Sequence, residues 1–345
     1  MTLEKLEKDT MADKFSEMLA ERDWLLADGA TGTNYFAAGL KSGEPPENWN
    51  TDQPDKVRDL HTAFIDAGSD IILTNSFGGS CRRLMMHGAQ DHVHEINSRA
   101  AQLARSAADA AGRPVIVAGS LGPTGDLLEP LGMLTRDEAR DAFRDQALAL
   151  ADGGADILWC ETMSAEDEVG AAVEACSETG LPIVVTMSFD SGGRTMMGIK
   201  PADWPEIAAR MPSPLTAYGA NCGVGPAELL ATVIAMSETA PPDTVLIAKG
   251  NCGMPELTDA GIEYTGTTEL MSDYARLARD VGVKIIGGCC GTTPAHIAAM
   301  RQALDTHVPA TRPSIPEIIE TLGEVSKLAM GTDAAAEAKA RRRRP

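Results

Sequence analysis

Two adjacent cysteines, Cys289 and Cys290, lie between glycines in the stretch GGCCGTTPAHI at 287–297. Two more cysteines, Cys222 and Cys252, each follow an asparagine at the end of a short apolar run. Zn²⁺ binds thiolates at about 2.3 Å, with four protein ligands in a structural site and one open position in a catalytic site. These cysteines therefore predict a zinc site, provided that the fold brings the three segments together.

The remainder of the chain predicts such a fold, because short apolar runs alternate with segments whose apolar residues recur at helical spacing. The runs cover 25–30, 70–77, 114–120, 155–162, 182–189, 217–222, 244–252 and 284–290. Continuously apolar strands that alternate with helices are typical of parallel strands buried on both faces. Eight such units favour an α/β fold of the (β/α)8 TIM-barrel type over an open doubly wound sheet.

The predicted barrel occupies residues 21–308. A short N-terminal extension, 1–20, precedes it, and a C-terminal extension, 309–345, ends in a basic tail that we expect to be disordered. In a barrel of this type the carboxyl ends of all strands meet at one face, which we call the carboxyl face. Residues at the ends of different strands can therefore form one site there.

On this topology the cysteines that end strands six, seven and eight become neighbours, and four thiols lie within reach of one ion. The alternative is that cysteine merely occupies small positions on the barrel rim. For the other cysteines we expect ordinary packing roles; these are Cys81, Cys160 and Cys176.

Composition restricts the partners. The chain has 345 residues with 30 basic and 50 acidic side chains, a formal net charge of −20. That charge repels nucleic-acid phosphates and anionic membrane surfaces, so neither is an expected partner. No run approaches the roughly 18 apolar residues of a membrane span, and residues 1–24 lack the apolar core of a secretion signal. We therefore expect a cytoplasmic protein with reduced thiols.

Four motifs carry a family resemblance: DGATGT at 28–33, TNSFGG at 74–79, GANCGVGP at 219–226 and GGCCGTTPAHI at 287–297. Together they resemble the zinc-dependent homocysteine S-methyltransferase family. That family includes betaine–homocysteine methyltransferases and the homocysteine-binding module of cobalamin-dependent methionine synthase. The resemblance covers roughly residues 20–305 and implies an enzyme that forms methionine.

The resemblance also implies a ligand set. Three thiolates, matching Cys222, Cys289 and Cys290, hold one zinc ion per chain. Cys252 matches no ligand of the family pattern and is expected to be an incidental thiol or one that supports the ligands. A zinc ion held in this way would keep the substrate thiol deprotonated and positioned.

The family pattern further assigns the amino-acid part of homocysteine. Glu161 is expected to bind the ammonium and is counted as both a catalytic and a substrate-binding residue. Asp28 and Gly29 match the turn that binds the amino acid, and Thr74 is expected to line the pocket. The alternatives are a structural ion pair for Glu161 and an ordinary strand-to-helix turn for the DGATGT segment.

The methyl donor is harder to assign, because a quaternary ammonium such as glycine betaine is usually held by aromatic faces. Gly78 and Thr162 stand where the betaine-using enzymes carry tyrosines. The aromatic residues left to line a donor pocket are Tyr35, Phe36, Trp49 and Phe77. Trp49 is the strongest candidate, since the polar, Pro-rich stretch PENWN predicts an exposed loop.

Glycine betaine is our first-choice donor. The alternative is a homocysteine-binding subunit of a split cobalamin-dependent methionine synthase, which takes the methyl group from methylcobalamin or a methyl-corrinoid protein. A remote alternative is a non-catalytic zinc-binding barrel. Lys249 is the nearest candidate for a Schiff-base lysine and is expected instead to be structural. The expected partners are thus homocysteine and a methyl donor, and the formation of a homo-oligomer stays open.

Overall fold

The computed structural model describes residues 13–258 and 261–326. Eight parallel strands form one sheet. They are β1 Leu25–Leu26, β2 Ile71–Leu73, β3 Ile116–Leu121, β4 Ile157–Met163, β5 Ile183–Met187, β6 Ala217–Cys222, β7 Leu246–Gly250 and β10 Ile285–Gly288. A separate antiparallel pair is formed by β8 Pro255–Thr258 and β9 Gly261–Tyr264.

Helices connect the strands. The α-helices are α1 Lys14–Glu21, α2 Gly32–Ala37, α3 Trp49–Asp52, α4 Pro54–Asp66, α5 Cys81–Leu84, α6 Val93–Ala110, α7 Arg136–Asp152, α8 Glu166–Ser177, α9 Trp204–Ala208, α10 Pro226–Ser237, α11 Thr268–Val281, α12 Pro294–Thr306 and α13 Ile315–Leu322. Short 3-10 turns cover Pro46–Asn48, Met85–His87, Gln90–His92 and Pro201–Asp203. No helix in the described ranges is long and apolar enough to cross a bilayer.

The sheet closes on itself. Its strands follow the order β1-β10-β7-β6-β5-β4-β3-β2. The two end strands are joined by a parallel bridge between Ala27 and Ile71. The predicted (β/α)8 barrel is therefore confirmed. Each of the eight predicted runs overlaps one of its strands, and β3 and β4 each extend one residue beyond their run.

The hairpin β8–β9 was not predicted. It is inserted between β7 and α11. The segments PELT and GIEY lack the continuous apolar run by which the barrel strands were predicted.

Helix α1 covers the amino-terminal end of the barrel. Phe15, Met18 and Leu19 on this helix belong to one apolar cluster with residues that begin the barrel strands. Those strand residues are Leu25, Ile71, Ile116, Ile157, Val184, Ala217, Ile247 and Ile285. The described part of the predicted N-terminal extension is therefore a helix that seals the end opposite the carboxyl face. Residues 1–12 and the predicted basic tail lie outside the described residues.

Replacing Phe15 by alanine should lower the free energy of unfolding by about 3–5 kcal/mol, because the fully buried ring would leave a cavity under the barrel. Urea denaturation followed by circular dichroism measures this. Glu17→Ala is the control on the exposed side of the same helix. A loss below about 1 kcal/mol for Phe15→Ala would show that α1 does not support the barrel.

Candidate active site

Three cysteines meet at the carboxyl face. Cys222 is the last residue of β6, and Cys289 and Cys290 follow the last residue of β10. Their Sγ atoms all lie within 4.8 Å of one another, and the Cys222 and Cys290 sulfurs are 4.0 Å apart. Thiolates at about 2.3 Å from a tetrahedral zinc are about 3.8 Å apart. The ligand type and the spacing therefore both fit zinc.

The protonation of this cluster also indicates a cation site. Hydrogen bonds to Cys289 and Cys290 raise the pKa of the Cys222 thiol well above its usual range. Hydrogen bonds from Cys222 and Cys289 lower the pKa of Cys290 to about 3. Three thiolates at this spacing would repel each other, because like charges in a poorly hydrated site are only weakly screened. A metal ion is what would allow all three to be deprotonated.

The Asn221 side chain connects the ends of β6 and β4, the two strands on either side of β5. Its Oδ1 accepts a hydrogen bond from the Thr162 amide, and its Nδ2 donates to Thr162 Oγ1, both at 2.8 Å. Nδ2 also contacts the Cys289 sulfur at 3.7 Å. Thr162 and Cys222 both have φ of 62°, the left-handed region that non-glycine residues rarely adopt. The Asn221 side chain therefore fixes an otherwise unfavourable backbone beside the cysteines.

The Asn251 side chain connects the loop after β6 with the loop after β10. Its Oδ1 accepts a hydrogen bond from the Cys290 amide at 3.0 Å, and its Nδ2 donates to the Gly223 carbonyl at 2.8 Å. The Asn251 side chain thus ties the loop after β6 to the loop after β10. Sequence reasoning gave neither asparagine a role. The available signal was the repeated Asn-Cys pair at 221–222 and 251–252.

Cys252 is separate from the cluster. Its side chain is buried, and its sulfur donates a hydrogen bond to the Gly266 carbonyl at 3.2 Å. Burial raises the pKa of Cys252 to about 11. Among the described residues, the group of possible metal ligands contains Cys222, Cys289 and Cys290 without it.

A cavity of about 510 Å³ opens beside the cysteine cluster. Its lining includes Gly29, Thr74, Glu161 and Lys249 together with the three cysteines. Ser120 Oγ donates a hydrogen bond to Glu161 Oε1 at 2.5 Å. Burial raises the pKa of Glu161 to about 7, although Lys249 opposes the rise. The cavity therefore combines soft metal ligands with a carboxyl group and an ammonium.

Gly29 is required by the close packing of two motifs. A Cβ atom at this position would lie 2.6 Å from the Thr292 carbonyl oxygen, which belongs to the loop after the paired cysteines. The same loop is bound by Thr33, whose Oγ1 accepts a hydrogen bond from the Gly291 amide at 3.2 Å. The DGATGT turn and the cysteine loop are thus one packed unit.

Asp28 does not face the cavity. One carboxylate oxygen accepts a hydrogen bond from the Leu73 amide at 2.7 Å, and the other lies 3.0 Å from Lys249 Nζ. Thr74 lines the cavity, but its hydroxyl contacts Ser76 Oγ at 2.6 Å and accepts a hydrogen bond from the Ser120 amide at 2.9 Å. Both side chains therefore hold neighbouring parts of the site in place.

Trp49 lies away from the other predicted site residues, and the expectation of an exposed loop is wrong. The side chain is 6% exposed, and its ring packs 5.1 Å from Tyr35 with Lys56 Nζ 4.5 Å above it. The physical reason is that the PENWN stretch forms a 3-10 turn followed by α3, which turns the indole inward. Within the described chain, the aromatic residues that line the cavity are Phe36 and Phe77.

A family model described as homocysteine S-methyltransferase matches residues 25–304. The chain belongs to this family. The methionine synthase of Mycobacterium leprae is 32% identical over 314 residues, and that of Mycobacterium tuberculosis is 32% identical over 301 residues. These matches cover 85% and 81% of this chain but 26% and 24% of the relatives, so the chain spans about a quarter of their length.

Solved structures agree with this membership. The homocysteine methyltransferase MmuM of Escherichia coli is 25% identical, with a TM-score of 0.69 for its oxidised form and 0.68 for its metallated form. Each match covers 84% of this chain and 99% of that structure. The family predicted from the four motifs is thereby confirmed.

Purified protein should bind one zinc per chain, and alanine at Cys222, Cys289 or Cys290 should abolish tight binding because two thiolates leave the site incomplete. Zinc content by mass spectrometry and a chelator competition assay measure this. Cys252→Ala is the matched control and should retain the metal. Stoichiometric zinc in Cys290→Ala would remove that residue from the ligand set.

Proposed function

We propose that this chain transfers a methyl group to the sulfur of homocysteine and forms methionine, with one zinc ion held by Cys222, Cys289 and Cys290. One observation carries the proposal: the three clustered sulfurs and the Glu161 carboxyl group open into the same cavity at the carboxyl face. A thiol-bearing amino acid has the matching groups, a sulfur at one end and an ammonium at the other.

Zinc would supply the activation of the nucleophile. A thiol with a pKa of about 8.5 is only a few per cent ionised at pH 7. Bound zinc deprotonates a coordinating thiol, and three protein ligands leave the fourth position for substrate. The chain itself contributes rigid placement, because hydrogen bonds from Asn221 and Asn251 hold the loops that carry the cysteines.

Glu161 would bind the substrate ammonium. Ser120 orients one of its carboxylate oxygens, and the half-buried position beside the cavity makes a charge-assisted hydrogen bond strong. An ammonium placed beside Glu161 favours the ionised carboxylate, since opposite charges stabilise each other in a poorly hydrated site. This group therefore holds the amino acid so that its sulfur points to the cysteine cluster.

Two donors remain, and the geometry bears on both. Glycine betaine was the first choice, but Trp49 lies outside the cavity, which leaves Phe36 and Phe77 to face a quaternary ammonium. Large apolar side chains are meanwhile exposed on segments that follow barrel strands. They are Phe36, Met85, Met86, Leu127, Leu131, Met133, Met196, Met197 and Met254. Of these, Phe36 and Met86 also line the cavity, so apolar contacts are available to a protein that docks at its opening, and on this basis we propose a methyl-corrinoid protein as the donor.

A donor panel tests this choice. Zinc-loaded protein with homocysteine should form methionine when given a methylated corrinoid protein or methylcobalamin, and little with glycine betaine. Met133→Glu, at a side chain 91% exposed, should slow turnover with the corrinoid protein and leave turnover with free methylcobalamin unchanged. Rapid methionine formation from betaine would restore the small donor. No product from any donor, in protein that binds homocysteine, would support the non-catalytic barrel.

Glu161→Gln should weaken homocysteine binding about ten- to hundredfold, because the ammonium loses a charge-assisted hydrogen bond worth about 1.5–3 kcal/mol. Isothermal titration of zinc-loaded protein measures the dissociation constant. Glu168→Gln is the matched control, since Glu168 is also buried but accepts its hydrogen bonds from Thr124 outside the cavity. Unchanged homocysteine affinity in Glu161→Gln would assign that carboxylate a structural role.

A further inference from the structure

Lys249 is a buried lysine in the cavity. It lies on β7, next to Asn221 of β6 and Gly287 of β10 in the sheet register. Only 2% of the residue is exposed, yet it belongs to the cavity lining. Its Nζ lies 3.0 Å from Asp28 Oδ1 and 5.4 Å from the centre of the Trp159 ring. From the sequence, Lys249 was expected to be a structural residue with no part in binding.

Of the two paired residues, Lys249 lies at the cavity wall and Asp28 lies behind it. Asp28 is held on the far side by the Leu73 amide and is absent from the cavity lining, whereas Lys249 is part of that lining. The charged group that the cavity meets from this direction is therefore the ammonium. Burial lowers the pKa of Lys249, but the negative charges of Asp28 and Glu161 raise it by more, so the pKa lies above its usual range and the group is protonated.

The cavity wall thus presents one anionic and one cationic side chain near the cysteine sulfurs. A buried charge is costly unless a partner compensates it. The α-amino acid head group carries an ammonium and a carboxylate on one carbon atom, which is complementary to such a pair. A head group without one of these charges would leave one side chain of the pair without its ligand partner.

We propose that Lys249 binds the carboxylate of the substrate while Glu161 binds its ammonium, so that the two side chains together select a zwitterionic thiol. This inference rests on the proposed function and extends it by naming the residue that recognises the second charge. Lys249 then stays paired with Asp28 in the free protein and contacts the carboxylate as well when the substrate binds.

Three thiol ligands allow the contributions of the ammonium and the carboxylate to be measured separately. Homocysteine carries both groups, 3-aminopropane-1-thiol lacks the carboxylate, and 4-mercaptobutyrate lacks the ammonium. Lys249→Met in zinc-loaded protein should weaken homocysteine and 4-mercaptobutyrate about ten- to hundredfold. It should weaken 3-aminopropane-1-thiol by a clearly smaller factor, because loss of the Lys249 charge acts on this ligand only by raising the pKa of Glu161. Glu161→Gln should give the mirror pattern, weakening the two ligands that carry an ammonium. Isothermal titration measures each dissociation constant, and zinc content is checked for every variant.

The controls separate binding from folding. Lys249→Arg keeps the charge and should retain most of the preference for carboxylate-bearing thiols. Lys14→Met removes a half-buried lysine at the opposite end of the barrel, where its Nζ donates to the Val115 carbonyl at 2.6 Å, and should leave all three affinities unchanged. If Lys249→Met alone fails to fold, the double variant with Asp28→Asn removes the unpaired carboxylate and should show the same ligand pattern.

The outcomes divide the two proposals. Equal weakening of all three thiols in Lys249→Met, or no weakening of any, would overturn the role of Lys249 while leaving homocysteine as the substrate. Wild-type protein that binds zinc but none of the thiols would overturn the proposed function, and this inference with it.

Discussion

The repulsion between three closely spaced sulfurs is the constraint on which the rest of the carboxyl face depends. The three Sγ atoms lie within 4.8 Å of one another, so three thiolates there would repel each other strongly unless a cation lay between them. Apolar packing alone would not hold three sulfur atoms this close together. Its geometry is instead imposed by Asn221 and Asn251, which connect four strand ends, and by the left-handed backbone of Cys222. The strain at that residue, of order 1–3 kcal/mol, is held by the surrounding hydrogen bonds.

Sequence reasoning reached those features that depend on topology. Apolar runs of the right length and number predict eight parallel strands, and barrel closure alone brings Cys222 to Cys289 although 67 positions separate them. Sequence reasoning failed for residues whose role depends on the direction in which the side chain points. Trp49 sits in a polar stretch, yet a turn of 3-10 helix points its ring into an apolar cluster with Tyr35. The direction of Lys249 was equally inaccessible, because a lysine in an apolar strand has the same sequence pattern whether it faces the interior or a cavity.

The buried charges around the cavity follow one arrangement. Asp28 lies behind Lys249, and Lys249 and Glu161 border the space beside the sulfurs. Each carboxyl group has a raised pKa because burial disfavours its charge, and the lysine between them limits that rise. Removing any one of the three would shift the protonation of the others. The polar wall of the cavity is therefore a coupled unit, which a substrate with two opposite charges can enter without leaving an unpaired ion.

The cavity is lined partly by residues at the ends of barrel strands and partly by residues of the loops that follow the strands. Cys222 and Lys249 lie on barrel strands that pair with their neighbours, and Glu161 lies on β4 at an irregularity in its pairing with β5. Cys289 and Cys290 directly follow β10 and are held by hydrogen bonds to β7 and to Asn251. The exposed apolar residues, such as Met86 and Met133, lie on the segments that follow the strands. Strand positions cannot move without disturbing the sheet, whereas loops on a rigid scaffold can vary. The part of the cavity that carries the cysteines can therefore stay the same while the loops around it vary. This separation is consistent with one barrel matching both about a quarter of two methionine synthases and nearly the whole of a homocysteine methyltransferase.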